Sequence, residues 1–179
     1  MPTVEELARR VETLEARLRA VEDVQAIHRL KALYVQRVDA RYRRKGGVVA
    51  VPELEAAARG IAELFTEDGV WDGGAALGVC RGRDEIFRRM CEPTLTFSWH
   101  FFLKPSIEVD GDRAHGSWDI LSPCSAGDGR PMWMAGVEHD EYARVDGRWL
   151  HSRMRLDLVF MAPHDRGWSR RRPKFAGKT

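Results

Sequence analysis

The sequence predicts a single α+β domain, with helices first and an antiparallel meander after them. Between Val4 and Cys91 apolar residues recur three and four positions apart, whereas from Thr96 onward they alternate with a period of two. Asp-Gly pairs at 110–111 and 146–147 then fall between alternating runs, where a hairpin turn needs residues that accept positive φ. Helices followed by a meander place the helices on one face of the sheet. The 179 residues suit one domain with a sizeable core and room for a cavity.

Thr3 with Glu6 matches a capping box, so the first helix is expected to begin near Val4. Val4, Leu7, Val11, Leu14, Leu18 and Val21 form an a/d seam flanked by Glu and Arg, short for an independent coiled coil. The seam reads either as a helix laid against its own domain or as a contact with a twin subunit, and the second is preferred. Val24, Ile27, Leu30, Leu33 and Tyr34 continue the helix to about Ala40. Gly46 and Gly47 break the pattern in an insertion from Arg41 to Val51. Pro52 opens a second helix through Leu54, Ala58, Ile61 and Phe65, which Thr66 to Asp68 ends; Val70-Trp71 reads as a short strand. A third helix is expected from Asp84 to about Cys91, before Pro93. In the meander, Ala114, Gly116, Trp118 and Ile120 share one face, Gly127 to Gly129 marks a turn, and a last strand carries Leu150, Met154, Leu156 and Phe160. The chain thus divides into an N-terminal amphipathic helix (1–21), a domain (22–162) and a basic tail (163–179).

Charged residues make up 31% of the chain and nearly balance at a net +2, as in ordinary soluble domains. The basic tail comes without an aromatic-rich basic face or a nucleic-acid motif, so no nucleic-acid partner is expected. Cys80, Cys91 and Cys124 have neither zinc-ligand spacing nor an even count, which argues against a metal cage or a disulfide framework. The N-terminus lacks an apolar signal region and no run reaches membrane-spanning length, so the expectation is a cytoplasmic protein without membrane contact. Phosphate loops, H-E-x-x-H and G-x-S-x-G are absent.

The chemistry-bearing residues are polar groups set among large apolar ones. Asp39 lies at the end of a core-entering helix, and His100 sits inside Phe97-Ser98-Trp99-His100-Phe101-Phe102. Taken singly, His100 reads equally as a core histidine and Asp39 as a water-facing helix end. Taken together they suggest a dyad, in which a carboxylate orients an imidazole and stabilises its protonated form. Tyr34, five residues before Asp39, falls about 140° away on a regular helix and shares a pocket with it only if the helix end overhangs that pocket. Its phenol could hydrogen-bond a leaving oxygen. Trp71, Trp118 and Trp133 could form aromatic walls, with Phe102 and Met134 completing them. Simple alternation turns Arg153 and Arg155 away from the Leu150, Met154 and Leu156 face unless a bulge intervenes.

In order and spacing, these pieces resemble the SnoaL-like branch of the nuclear transport factor 2-like superfamily. The matching pieces are Gln25-Ala26-Ile27 to Tyr34 and Asp39, Leu64-Phe65-Thr66-Glu67-Asp68 before Trp71, Arg81-Gly82-Arg83-Asp84-Glu85-Ile86, His100, Val109 to Ala114, and Tyr142 through Trp149. The resemblance covers roughly residues 22 to 162. It implies a cone-shaped α+β barrel, with a bent antiparallel sheet and three helices around an apolar pocket, commonly in homodimers or homotrimers. The superfamily includes scytalone dehydratase, bile-acid 7α-dehydratase, hexachlorocyclohexane dehydrochlorinase, polyketide cyclases and ketosteroid isomerase. By resemblance, Asp39 and His100 take the positions of the acid–base pair. Tyr34 looks like the dehydratase tyrosine, Trp71 like the dehydrochlorinase's pocket tryptophan, and Arg155 like the arginine of the last strand.

The expected function is a cofactor-independent, metal-free lyase of the dehydratase type, acting on a hydrophobic aromatic or alicyclic small molecule. His100, aided by Asp39, would remove a proton; Tyr34 would assist the leaving group; Trp71 and Trp118 would hold the ring. An isomerase, a cyclase or a formaldehyde-releasing lyase would use the same pocket. A non-catalytic ligand-binding or assembly domain is the rival from another class.

Overall fold

The computed structural model describes residues 1–164. The basic tail expected over 163–179 lies, from residue 165, outside the described residues. Helix α1 runs from Val4 to Asp39. Its capping box is formed: the Glu6 N–H donates to Thr3 Oγ1 at 3.2 Å and the Thr3 N–H donates to the Glu6 carboxylate at 3.0 Å. Ile27, Leu30, Tyr34 and Val38 bury its C-terminal half, while each of residues 1–22 is largely exposed. The insertion at 41–50 folds back on itself through a Tyr42–Val48 bridge, and the Gly47 N–H ties it to the Thr96 carbonyl at 2.8 Å.

Helix α2 (Val51–Ala62) begins with Pro52 in its first turn and buries Leu54, Ala58, Ile61 and Ala62. Strand β1 (Phe65–Asp72) follows directly. The expected helical stop at Thr66–Asp68 is therefore corrected to strand: Phe65 is already paired with His151, and a bulge separates it from Val70. Thr66 and Asp68 instead bond to each other, Thr66 Oγ1 donating to the carboxylate at 2.8 Å. A single turn α3 (Gly74–Leu77), a short strand β2 (Val79–Arg81) and helix α4 (Gly82–Met90) come next. Strands β3 (Phe97–Ser98), β4 (Phe101–Asp110), β5 (Arg113–Ser125), β6 (Pro131–Val145) and β7 (Arg148–Pro163) complete the meander.

The strand order is β2-β1-β7-β6-β5, with β3 and β4 both pairing the far side of β5. The sheet is mixed rather than wholly antiparallel, because β1 pairs β7 in parallel while every other pairing is antiparallel. It curls into a half-barrel that α2, α4 and the second half of α1 close into a cone. On β5 the face of Ala114, Trp118 and Ile120 points inward as the alternation predicts, and Ser122 and Cys124 extend it. Gly136 on β6 sits where a Cβ would lie 2.8 Å from the Asp157 carbonyl, next to a bulge that bends the sheet. The three cysteines are free thiols.

Candidate active site

Asp39 ends α1, and the chain returns to it only after β3, where Trp99 and His100 interrupt the strand pairing before β4. That return brings the two residues together. The His100 Nδ1 lies 2.6 Å from Asp39 Oδ1, and the His100 backbone N–H reaches both carboxylate oxygens at 3.2 Å. One residue thus fixes the carboxylate from its ring and its backbone. In the neutral ring this contact puts the proton on Nδ1 and the lone pair on Nε2. Nε2 lies 3.2 Å from Ser98 Oγ, which is 2.8 Å from Ser122 Oγ, which is 3.3 Å from the Pro123 carbonyl, so two hydroxyl protons serve three contacts in turn. Both hydroxyls are fully buried.

The imidazole borders a cavity of about 100 Å³, walled by Tyr34, Val38, Trp71, Ile120, Met134 and Leu156 among others. The α1 end overhangs it, so Tyr34 and the Asp39–His100 pair serve one space despite their separation around the helix. The Trp71 Nε1–H donates to the Tyr34 hydroxyl at 3.1 Å, which leaves the phenol's own proton free to donate. Burial, with the Glu138 charge adding to it, pushes the Tyr34 phenol far above its usual range. The phenol therefore keeps its proton, and its hydroxyl can offer that proton in a hydrogen bond. Leu77, Thr94, Leu95, Met134 and Leu156 are shared with an outer apolar hollow of about 700 Å³, which opens between Gly73 and Met161.

The other expected pocket residues are placed differently. Phe102 stacks beside His100, ring centroids 6.4 Å apart and planes 24° from parallel, and supports the imidazole without lining the cavity. Trp118 is a correction: it is buried deeper in the cone, where its Nε1–H donates to the Tyr142 hydroxyl at 3.0 Å. Arg155 is a second correction. It is exposed, pairs with Asp157 at 2.9 Å, and lies with Arg153 on the opposite sheet face, where the alternation puts it. Trp133 donates to His164 Nδ1 at 3.0 Å near the rim.

Sequence reasoning missed two groups. Arg41 and Arg89 line the cavity. Arg41 is held by carbonyls of Val38 (3.1 Å) and Met90 (3.3 Å), at the point where the chain leaves α1 for the insertion. The second group is a buried charge cluster behind Phe102. Lys31 Nζ donates to Glu138 at 2.5 Å and to Asp140 at 2.8 Å, and sits 4.3 Å from the centre of the Phe102 ring. Tyr142 donates to the same Asp140 oxygen at 2.7 Å. Burial raises the Glu138 carboxyl well above the carboxylate range against the pull of Lys31. The signal was present: Glu138 and Asp140 share parity with Met134 and Tyr142 on β6, so the inward face carried two acids. Among the described residues, no group of three or more His, Cys, Asp or Glu is arranged to hold a metal ion.

A family model described as a SnoaL-like domain matches residues 55–155. That stretch takes in Trp71 and His100 and begins after Tyr34 and Asp39. No curated protein matches the chain in sequence. Among solved structures, a type 2 hexachlorocyclohexane dehydrochlorinase superposes with a TM-score of 0.68 at 20% identity, covering 82% of this chain and 92% of that one. A type 3 hexachlorocyclohexane dehydrochlorinase from Novosphingobium barchaimii gives 0.67 at 20% identity over 82% and 93%. A nuclear-transport-factor-2-like protein with a cystatin-like fold from Novosphingobium aromaticivorans gives 0.65 at 22% identity over 89% and 92%. At these identities the likeness establishes the fold.

Proposed function

The chain belongs to the SnoaL-like domain family, and from that premise we propose that it is an acid–base lyase that eliminates a leaving group from a hydrophobic cyclic molecule without an organic cofactor. The observation that carries this reading is the 2.6 Å contact between His100 Nδ1 and Asp39 at the wall of an apolar cavity. A carboxylate on Nδ1 makes Nε2 the basic nitrogen and stabilises the imidazolium formed when Nε2 takes a proton.

In the proposed elimination, Nε2 removes the hydrogen from the carbon next to the one bearing the hydroxyl. The C–H electron pair becomes the new double bond, the C–O bond breaks, and the proton passes from Nε2 to the departing hydroxide to give water. Tyr34 polarises the leaving oxygen through its free O–H. Ser98 and Ser122 suit both states of the base. While Nε2 is a lone pair, Ser122 donates to Ser98 and Ser98 to Nε2. When Nε2 turns its lone pair to the substrate, the Ser98 hydroxyl swings onto Ser122 and Ser122 donates to the Pro123 carbonyl, so the proton Nε2 gains stays available for the departing hydroxide. Arg41 and Arg89 favour a substrate with a carbonyl or acidic oxygen, whose enolate-like charge they would stabilise. The apolar inner cavity and the larger outer hollow favour a ring inside and a second apolar portion outside.

The test is turnover of β-hydroxy ketones carrying an aryl or cyclohexyl ring, followed by the absorbance of the conjugated product. The reading expects product from the wild type and none from His100→Gln. If the wild type binds these ketones without converting them, and His100→Gln binds them equally well, the protein is instead a ligand-binding domain.

A further inference from the structure

The first five turns of α1 have no role in the cavity, and their apolar side has no partner within the chain. Val4, Leu7, Val11, Leu14, Leu18 and Val21 are between 47 and 83% exposed. The helix meets the domain through its opposite side. Asp23 accepts from Trp149 Nε1 at 3.1 Å and pairs with Arg144 at 2.7 Å, and Ala16, Arg19, Ala20 and Asp23 face a hollow against Val109, Asp112 and Arg144. At 100° per residue Ala16, Ala20 and Asp23 lie about half a turn from the stripe, and Arg19 and Glu22, which also lines the hollow, lie between the two sides. The stripe therefore points away from the domain, which rules out an intramolecular seat for it.

The residues flanking the stripe specify what covers it. With Val4, Val11 and Leu18 as a positions and Leu7, Leu14 and Val21 as d positions, Arg10 and Arg17 fall at g, and Glu15 and Glu22 at e. In a parallel pair each g residue faces the partner's following e residue, so both contacts join arginine to glutamate. In an antiparallel pair g faces g and e faces e, which sets arginine against arginine and glutamate against glutamate. The predominance of Val at a with Leu at d favours two strands. The segment from Val4 to Glu22 holds four arginines and five glutamates, a mixed polar face that does not suit an anionic membrane surface.

We infer that residues 4–22 form a dimerisation arm, in which two copies of this chain wind as a parallel two-stranded coiled coil, with Arg10 and Arg17 of each against Glu15 and Glu22 of the other. Three heptads are marginal for free peptides, because helix nucleation is costly. Here the arm is the continuation of a helix whose second half is fixed in the core by Ile27, Leu30, Tyr34 and Val38, so little ordering is left to the association step. Parallel pairing puts both domains at the same end, on the outer sides of the coil.

Sedimentation velocity on the full-length protein tests this with two charge variants. The wild type is expected to be a dimer, while Glu15→Arg/Glu22→Arg and Arg10→Glu/Arg17→Glu are each monomers. A 1:1 mixture of the two variants is expected to re-form a dimer. Orientation is read from Leu7→Cys, which under mild oxidation links two chains only if the N-termini lie together, with the wild type as control for the native thiols. A monomeric wild type, charge variants that stay dimeric, or a Leu7→Cys protein that does not cross-link would each overturn the inference. Circular dichroism of the variants separates loss of association from loss of folding.

Discussion

His151 sits among Tyr34, Phe65 and Tyr142 with neither ring nitrogen hydrogen-bonded, and Asp140 is 3.9 Å away, beyond bonding reach. Burial pushes its pKa down from 6.5 to about 3. Unfolded chains take up a proton near pH 6.5 that the folded protein refuses until about pH 3. Stability is therefore full above pH 6.5 and is lost as pH falls toward 3, by on the order of 5 kcal/mol from this group. The raised Glu138 acts in the opposite sense, since its contribution is present at low pH and fades as pH rises through its folded value. Replacing His151 with Phe should remove the acid-side loss, seen as a flatter plot of denaturation midpoint against pH than the wild type gives. For the dyad, Asp39→Asn keeps a hydrogen-bonding oxygen but removes the charge that stabilises the imidazolium. It should lower kcat by about 100- to 10,000-fold while the thermal midpoint changes little. The dyad residues were legible because each is a polar group in an apolar setting. The cavity arginines were not, since Arg41 and Arg89 look like ordinary surface charges until the end of α1 and the end of α4 come together at the cavity.

At the scale of elements, α1 and β6 meet through Lys31, Glu138 and Asp140, a cluster almost closed to water. Lys31→Met would leave two buried carboxyls without their cation and should cost roughly 3–5 kcal/mol in denaturant unfolding. Glu138→Gln should cost much less, because this carboxyl already tends toward its neutral form. Gly73, between β1 and α3, marks a different constraint. A Cβ there would lie 2.5 Å from the Trp71 ring and from Leu77 Cβ, so Gly73→Ala should push the indole into the cavity. The expected outcome is a raised KM with a smaller change in kcat, since the dyad stands on other elements. The helix starts were legible through the Thr3 capping box and Pro52, and the hairpins through their Asp-Gly turns. The β1 start was not, because the strand's pairing with β7 joins Phe65 to His151, 86 positions further along the chain.

For the whole molecule, association through the arm would couple the thermal midpoint to concentration. The wild-type midpoint should rise with protein concentration, whereas that of Glu15→Arg/Glu22→Arg should not; dilution series in a calorimeter read this directly. The domain itself separates its surfaces by sheet face. The inner face holds the cavity, and the outer face carries His115, His139, Arg153 and Arg155 among carboxylates. No helix among the described residues is long and apolar enough to cross a membrane.

The sequence by itself determined the helices-then-meander class, the turns, the inward face of β5 and the apolar stripe of α1. Each of these rests on residues close together in the chain, whose period or turn chemistry is local. Only the tertiary structure decided that Asp39 and His100 touch, that Trp118 leaves the cavity wall for Tyr142, and that Lys31 is neutralised by β6. These contacts join residues 24 to 107 positions apart. Which of several buried polar groups pair is set by sheet curvature, strand register and bulges, and local periodicity carries none of that information.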